Sequence, residues 1–66
     1  GNMPCIVNAA NEVVNLAFRE GRIGYLDIAR LIRRAMKEAT FIEHPTLDDY
    51  FESDAEVRKL VAAMID

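Results

Sequence analysis

The sequence predicts an all-α domain, a small antiparallel bundle of about four helices. Apolar residues recur at steps of three and four along most of the chain, which places them on one face of a helix. No segment alternates apolar and polar residues with the period of two that is typical of a strand. The connections between the apolar segments are short, as between antiparallel neighbours in a bundle.

The first predicted helix contains the stretch NAANEVVN at residues 8–15. Asn2 is its expected N-terminal cap, Pro4 is tolerated in its first turn, and Gly21 is expected to end it. On helical spacing, the buried face would carry Met3, Ile6, Ala10, Val13, Val14 and Ala17. The opposite face would carry a polar stripe of Asn8, Asn11, Glu12, Asn15 and Arg19.

The second helix is predicted over DIARLIRRAMKEA, residues 27–39. Asp27 is its expected cap, and Leu26 with Leu31 has the spacing of a hydrophobic staple. Its apolar stripe would be Ile28, Leu31, Ile32, Ala35, Met36 and Ala39.

A short third helix is predicted around LDDYFE, because Pro45 restricts the residue before it and Thr46 can cap a helix that begins at Leu47. Its inward residues would be Leu47, Tyr50 and Phe51. Ser53 and Glu56 then have the spacing of a capping box for a last helix. The apolar face of that helix would be Val57, Leu60, Val61, Met64 and Ile65.

Length and charge limit the possible functions. A chain of 66 residues forms at most one domain, and its thin core cannot easily enclose a cofactor. The net charge of -3 divides unevenly, since residues 1–38 sum to +2 and residues 39–66 to -5. A net acidic domain gains nothing as a whole from phosphate binding, so we expect no nucleic acid as partner.

Cys5 is the only cysteine, which excludes an internal disulfide and a zinc site built on cysteines. A lone thiol fits a reducing compartment, and we expect the cytoplasm. No apolar run approaches the roughly 20 residues that span a bilayer, and no signal peptide is recognisable, so we expect no membrane partner. The abrupt start at Gly1 suggests a fragment of a longer chain.

No set of residues has the pattern of a catalytic or metal site. His44 is the only imidazole and has no second histidine or cysteine at ligand spacing, so we interpret it as a loop residue. Cys5 lacks an activating base and is expected to be a small buried hydrophobe. The acidic residues between positions 48 and 56 follow helix starts, where negative charge complements the helix dipole: Asp48, Asp49, Glu52, Asp54 and Glu56.

Two segments resemble nucleic-acid motifs. GRIG at residues 21–24 matches the G-x-x-G loop of KH domains, but that fold also needs a sheet, so a turn between helices is the simpler interpretation. The second helix carries a basic face opposite its apolar stripe, which could contact DNA in a helix-turn-helix protein: Arg30, Arg33, Arg34 and Lys37. Such rows are usually only solvated.

The segments NMPCIVNAANEV and GRIGYLDIARLI together resemble the C-terminal helical domain of 1-deoxy-D-xylulose 5-phosphate reductoisomerase. Members carry a Gly-x-x-Pro start, the NAANE helix, a similar glycine turn and an aromatic-Leu-Asp-Ile helix start. The likeness continues through Pro45, Thr46, Asp49 and Ser53 to Val57 and covers nearly the whole chain. The chain departs from the family pattern at Ala29, where many members have Pro, and at Asn15, where an apolar residue is usual.

The resemblance implies a parent enzyme that converts deoxyxylulose 5-phosphate to methylerythritol 4-phosphate in non-mevalonate isoprenoid biosynthesis. It implies NADPH and Mg²⁺ or Mn²⁺ as cofactors of that parent, a homodimeric parent, and both cofactor sites on other domains of the same chain. No catalytic, cofactor-binding or metal residue of the family falls in residues 1–66. We therefore expect a single non-catalytic C-terminal domain that braces the catalytic and NADPH-binding domains, with Asn8, Asn11 and Glu12 in structural roles near the seam. The alternative is an independent helical interaction or nucleic-acid module that uses the basic face.

Overall fold

The computed structural model describes residues 1–65, and helices make up most of them. Within this range the chain forms three α-helices and no strand: α1 (Met3–Arg19), α2 (Tyr25–Glu38) and α3 (Leu47–Ile65). The all-α class is therefore confirmed, but the predicted number of about four helices is wrong. None of the three, over the same range, is long and apolar enough to cross a membrane.

The miscount arises in α3, where the predicted short helix and the predicted last helix are one continuous element. Thr46 caps its start as expected, since the Asp49 amide donates to Thr46 Oγ1 over 3.2 Å and the Thr46 amide donates to the Asp49 carboxylate over 2.9 Å. The capping box predicted at Ser53 and Glu56 is wrong. No Gly or Pro interrupts the helix there, and both side chains bond other segments.

α1 is the central helix, because it packs extensively against both α2 and α3, whereas α2 and α3 contact each other much less. The Cys5 thiol approaches the Tyr50 carbonyl and Glu12 pairs with Arg58, so α1 and α3 begin at the same end of the domain. The antiparallel arrangement predicted for the bundle therefore does not hold for this pair of helices. The three helices bury a small common core of Ile6, Ala9, Ala10, Val14, Leu31, Ala35, Ala39, Val57 and Val61. The apolar faces predicted for α1, α2 and the last helix supply all of these except Ala9.

A glycine turn joins α1 to α2. Gly21 adopts a φ of 75°, its amide donates to the Phe18 carbonyl over 3.0 Å, and the Arg22 amide donates to the Ala17 carbonyl over 2.9 Å. This pair of bonds is the Schellman motif that commonly ends helices, and the left-handed backbone explains why glycine is needed. The prediction that Gly21 ends the first helix is confirmed.

α2 begins two residues earlier than predicted. Gly24 occupies its N-cap position, and Asp27 lies inside the first turn, where its carboxylate accepts a hydrogen bond from the Gly24 amide over 2.9 Å. The staple predicted between Leu26 and Leu31 does not form: Leu26 is 86% exposed, whereas Leu31 is 1% exposed. The staple is lost because Leu26 lies within the helix and not before the cap.

The inward orientation predicted for the start of α3 is also wrong. Leu47 is 70% exposed and Phe51 67% exposed, and Tyr50 is exposed as well. The buried face of α3 repeats every four residues through Ser53, Val57 and Val61. Phe51 precedes Ser53 by two residues, about 200° around a helix, and so points away from the core. Cys5 is only half-buried, which corrects the prediction that it is a buried hydrophobe.

Candidate functional site

The most connected polar residue in the described structure is Asn2, which is fully buried. Its side-chain amide donates to the Thr40 carbonyl over 2.9 Å and to Ser53 Oγ over 2.8 Å. Its side-chain oxygen accepts from the Ile42 amide over 2.8 Å. Asn2 does hold the N-cap position of α1, but its side chain makes no capping bond and instead ties the start of α1 to α3 and to the linker before α3.

A second tie anchors the same linker to α3. The Thr40 amide donates to the Glu56 carboxylate over 2.7 Å, and Thr40 Oγ1 donates to the same carboxylate over 3.0 Å. Asn2 and Glu56 thus both bond to the linker. Every buried side-chain nitrogen and oxygen within residues 1–65 has a hydrogen-bond partner.

The polar stripe of α1 faces outward, as its helical spacing predicted. Its carboxylate, Glu12, pairs with the guanidinium of Arg58, which also donates to Asp54 over 2.8 Å. The hydrogen bonds to Asp54 and then to Glu12 raise the pKa of Arg58 above its usual range. Glu12 therefore joins α1 to α3 within the domain, and its expected role near a seam with other domains stays a prediction.

Two of the amides in the stripe bond each other. The Asn15 side-chain amide donates to both the backbone carbonyl and the side-chain oxygen of Asn11, each over 2.7 Å. These are bonds within one helix, so they do not by themselves reach another part of a longer chain. Next to them lies an open groove of about 550 Å³, lined by Asn11, Glu12, Val13, Asn15, Leu16, Ala17, Arg19, Glu20, Arg22 and Arg58.

At the start of α2, hydrogen bonds from the Gly24 amide and from Arg30 hold the pKa of Asp27 below its ordinary value of 3.8. A carboxyl group whose pKa is lower in the folded state stabilises the fold above its unfolded pKa. That contribution is lost as the pH falls through the folded pKa. The first turn of α2 is therefore expected to weaken only in acid.

The Asp27→Asn variant is expected to be less stable than the natural chain at neutral pH and to approach it as the pH is lowered below about 4, because protonation removes the same carboxylate. Urea unfolding between neutral and acidic pH measures the difference. Glu43→Gln is the control, since Glu43 is an exposed linker carboxylate with no hydrogen bond or ion pair in the described structure. If the difference in stability between Asp27→Asn and the natural chain stayed constant down to acidic pH, the Asp27 carboxylate would not be the group that stabilises the first turn of α2.

The residues considered for chemistry in the sequence do not come together. His44 lies exposed in the linker before α3. Cys5 Sγ lies 3.5 Å from the carbonyl oxygen of Tyr50, and its thiol donates to that oxygen. Across residues 1–65, no three His, Cys, Asp or Glu side chains are grouped so that they could hold a metal ion.

Both segments that resemble nucleic-acid motifs make contacts within the domain. GRIG forms the Schellman turn and the start of α2, and no sheet accompanies it in residues 1–65. On the basic face of α2, Arg30 pairs with Asp27 over 3.1 Å and Arg34 pairs with Glu38. Two of its four positive charges are thus partly neutralised within the same helix.

Sequence reasoning missed two connecting residues. Asn2 has the pattern of an ordinary cap, and nothing local indicates partners at residues 40, 42 and 53. For Arg58, the four-residue spacing from Asp54 was a readable signal of an ion pair along one helix. Its second partner on α1 could not be read from the sequence, because it depends on how the helices pack.

Comparison with known proteins identifies one family. Residues 1–60 match the family model described as the DXP reductoisomerase C-terminal domain. The 1-deoxy-D-xylulose 5-phosphate reductoisomerases of Bacteroides thetaiotaomicron and Bacteroides fragilis are 49% and 48% identical to the chain over 65 residues. The enzyme of the same name from Geobacillus sp. is 40% identical over 65 residues.

In each case the match covers 98% of this chain but only 17% of the relative. No solved structure matches the chain significantly. The likeness to these enzymes therefore extends over one small part of their length.

Proposed function

The chain belongs to the DXP reductoisomerase C-terminal domain family, and on that basis we propose that it is the non-catalytic C-terminal domain of a 1-deoxy-D-xylulose 5-phosphate reductoisomerase. The parent enzyme would convert deoxyxylulose 5-phosphate to methylerythritol 4-phosphate in isoprenoid biosynthesis, with NADPH and Mg²⁺ or Mn²⁺. Residues 1–66 would form one domain of it. The observation that carries the proposal is the match over 98% of the chain.

The residues of the described structure do not fit either cofactor. The GRIG turn ends a helix and does not follow a strand, as a dinucleotide-binding glycine turn would. No group of three potential metal ligands occurs in residues 1–65. We place NADPH, the metal ion and all catalytic residues in other domains of the parent.

The polar side chains support a structural role, because those with the best-defined contacts bond to other residues of the domain. Asn2 and Glu56 hold the linker before α3, Glu12 and Arg58 join α1 to α3, and the Asp27 carboxylate accepts from the Gly24 amide in the first turn of α2. A catalytic carboxylate would instead be expected in a pocket that shifts its pKa toward the operating pH. The proposed role is to brace the catalytic and NADPH-binding domains of the same chain.

The single free cysteine is consistent with a cytoplasmic enzyme, and we propose that location and a homodimeric parent. The alternative, a nucleic-acid module using the basic face of α2, has less support. Its face is partly neutralised, and α3 adds negative charge in its first turn.

The isolated 66-residue chain is expected to show no turnover when it is supplied with NADPH, Mg²⁺ and deoxyxylulose 5-phosphate. NADPH absorbance measures the reaction, and the full-length enzyme is the positive control. Measurable turnover by the isolated chain would refute the non-catalytic role. Salt-sensitive binding of labelled DNA or RNA by the same chain would instead favour the alternative.

A further inference from the structure

A row of exposed side chains runs along α2 on the side that faces away from the core. It consists of Leu26, Arg30, Arg33 and Lys37, and we call it the outer row. These residues recur at steps of four and three, so they lie in line along about 16 Å of the helix. Arg33 follows the buried Leu31 by two residues, about 200° around the helix, and so points outward.

Two of the positive charges in the outer row have no counter-charge in the domain. Arg30 pairs with Asp27 over 3.1 Å, whereas Arg33 and Lys37 make no hydrogen bond or ion pair with any residue of the described range. They lie four residues apart, which places their Cβ atoms about 6 Å from each other. The outer row therefore offers two neighbouring cations that are free to bind an outside group.

The rest of the domain leaves this charge largely uncompensated. α2 carries four basic and two acidic residues, whereas α3 carries five acidic and two basic residues. Both helices pack on α1 and contact each other much less, so most of the negative charge lies away from the outer row. The domain is thus electrically polarised, with its positive surface on α2.

An apolar pair stands at the beginning of the outer row. Leu26 is exposed one turn before Arg30, and its neighbour Tyr25 is exposed as well. The Tyr25 ring packs edge-on against Phe18, with 6.0 Å between the ring centroids. Exposed apolar and aromatic side chains next to arginine are typical of surfaces that bind another protein.

We propose that the outer row binds an acidic amphipathic helix of another protein. Two carboxylates four residues apart on that helix have the spacing to pair with Arg33 and Lys37, and an apolar residue beside them would cover Leu26. A nucleic acid fits less well, because a continuous line of phosphates along α2 would also approach the carboxylates of Asp27 and Glu38. The proposal goes beyond the bracing role and does not depend on where catalysis occurs.

Binding of a synthetic helix to the full-length enzyme tests the proposal. The probe is a fluorescent amphipathic peptide with Glu every four residues beside Leu, and the control peptide has Gln in place of each Glu. Fluorescence anisotropy at physiological salt measures both affinities. We expect the Glu peptide to bind about tenfold more tightly or better, because only its carboxylates pair with Arg33 and Lys37.

Matched variants locate the surface that binds the Glu peptide. Lys37→Glu should weaken binding by about tenfold, since like charges then face each other. Lys59→Glu is the control and should change the affinity by less than about twofold, because Lys59 is an exposed lysine of α3 that also has no partner within residues 1–65. Likewise, Leu26→Ser should weaken binding by about tenfold, whereas Leu47→Ser, at another exposed leucine, should not.

All four substituted residues are exposed, and circular dichroism checks that each variant is folded. Equal binding of the Glu and Gln peptides, or equal effects of Lys37→Glu and Lys59→Glu, would overturn the proposal. So would the absence of binding, which is expected if other residues of the full-length enzyme cover the outer row. Duplex DNA and phosphatidylglycerol vesicles are tested in the same way, and tighter binding of either would overturn the proposal in favour of that polyanion.

Discussion

Replacing Asn2 with Ala is expected to lower the free energy of unfolding by about 3 kcal/mol, because a buried polar group left without a partner costs roughly 1–3 kcal/mol. The change removes the side-chain bonds to Thr40, Ile42 and Ser53 at once. All are contacts between segments far apart in the chain. The start of α1, the linker and α3 are therefore expected to loosen together.

Two further variants isolate the hydrogen bonds as the cause. Asn8→Ala is the matched control, because Asn8 is an exposed asparagine on the same helix and its loss is expected to change stability by less than about 0.5 kcal/mol. Asn2→Asp keeps the size and the acceptor for Ile42 but removes both donors, so it should destabilise at least as much as Asn2→Ala. Urea unfolding followed by circular dichroism measures all three. If Asn2→Asp were as stable as the natural chain, the lost hydrogen bonds would not explain the effect of Asn2→Ala.

Replacing Leu31 with Ala is expected to lower the free energy of unfolding by about 3–4 kcal/mol, since a buried Leu→Ala change loses apolar burial and leaves a cavity. Leu31 is the one large side chain of α2 that is fully buried in the described structure; Ala35 is the other buried residue of that helix. A chain of this length has a total stability of only about 3–10 kcal/mol. Loss of Leu31 is therefore expected to remove much of the stability.

The control for Leu31→Ala lies in the same helix. Leu26→Ala makes the same chemical change at a residue that is 86% exposed, so its effect should stay within about 0.5 kcal/mol. Urea unfolding measures the free energy of unfolding of both variants. The difference between them reports the effect of burial, because both make the same Leu→Ala change within α2. Similar losses in the two variants would show that burial of Leu31 does not hold α2 in place.

The sequence predicted the helical class and most of the core because apolar residues spaced by three and four report one buried face. Ile6, Val14, Leu31, Val57 and Val61 were all identified this way and all are buried. The spacing could not count the helices, because Ser53 and Glu56 satisfy the local pattern of a cap while bonding to distant partners. Local rules cannot distinguish these two uses of one side chain.

The outward surface was harder to predict than the core. Leu47 and Phe51 were expected to be buried because they are apolar, yet which side of α3 faces α1 depends on tertiary packing. For the polar stripe of α1, the spacing alone was sufficient to predict its orientation. A row of amides and charged groups is stable only where it faces solvent or bonds to other polar groups. The sequence also predicted that the domain carries no catalytic residues, and this remains a prediction.

The bonds between Asn2 and Ile42 have a consequence for register. The backbone amide of Asn2 donates to the Ile42 carbonyl, while the backbone amide of Ile42 donates to the side-chain oxygen of Asn2. The asparagine thus presents one donor and one acceptor to a single residue, as a paired residue does in a β-ladder. A shift of the linker by one residue would break both bonds. These two bonds therefore fix the start of α1 against the linker to within one residue, as hydrogen bonds fix the register of neighbouring strands in a sheet.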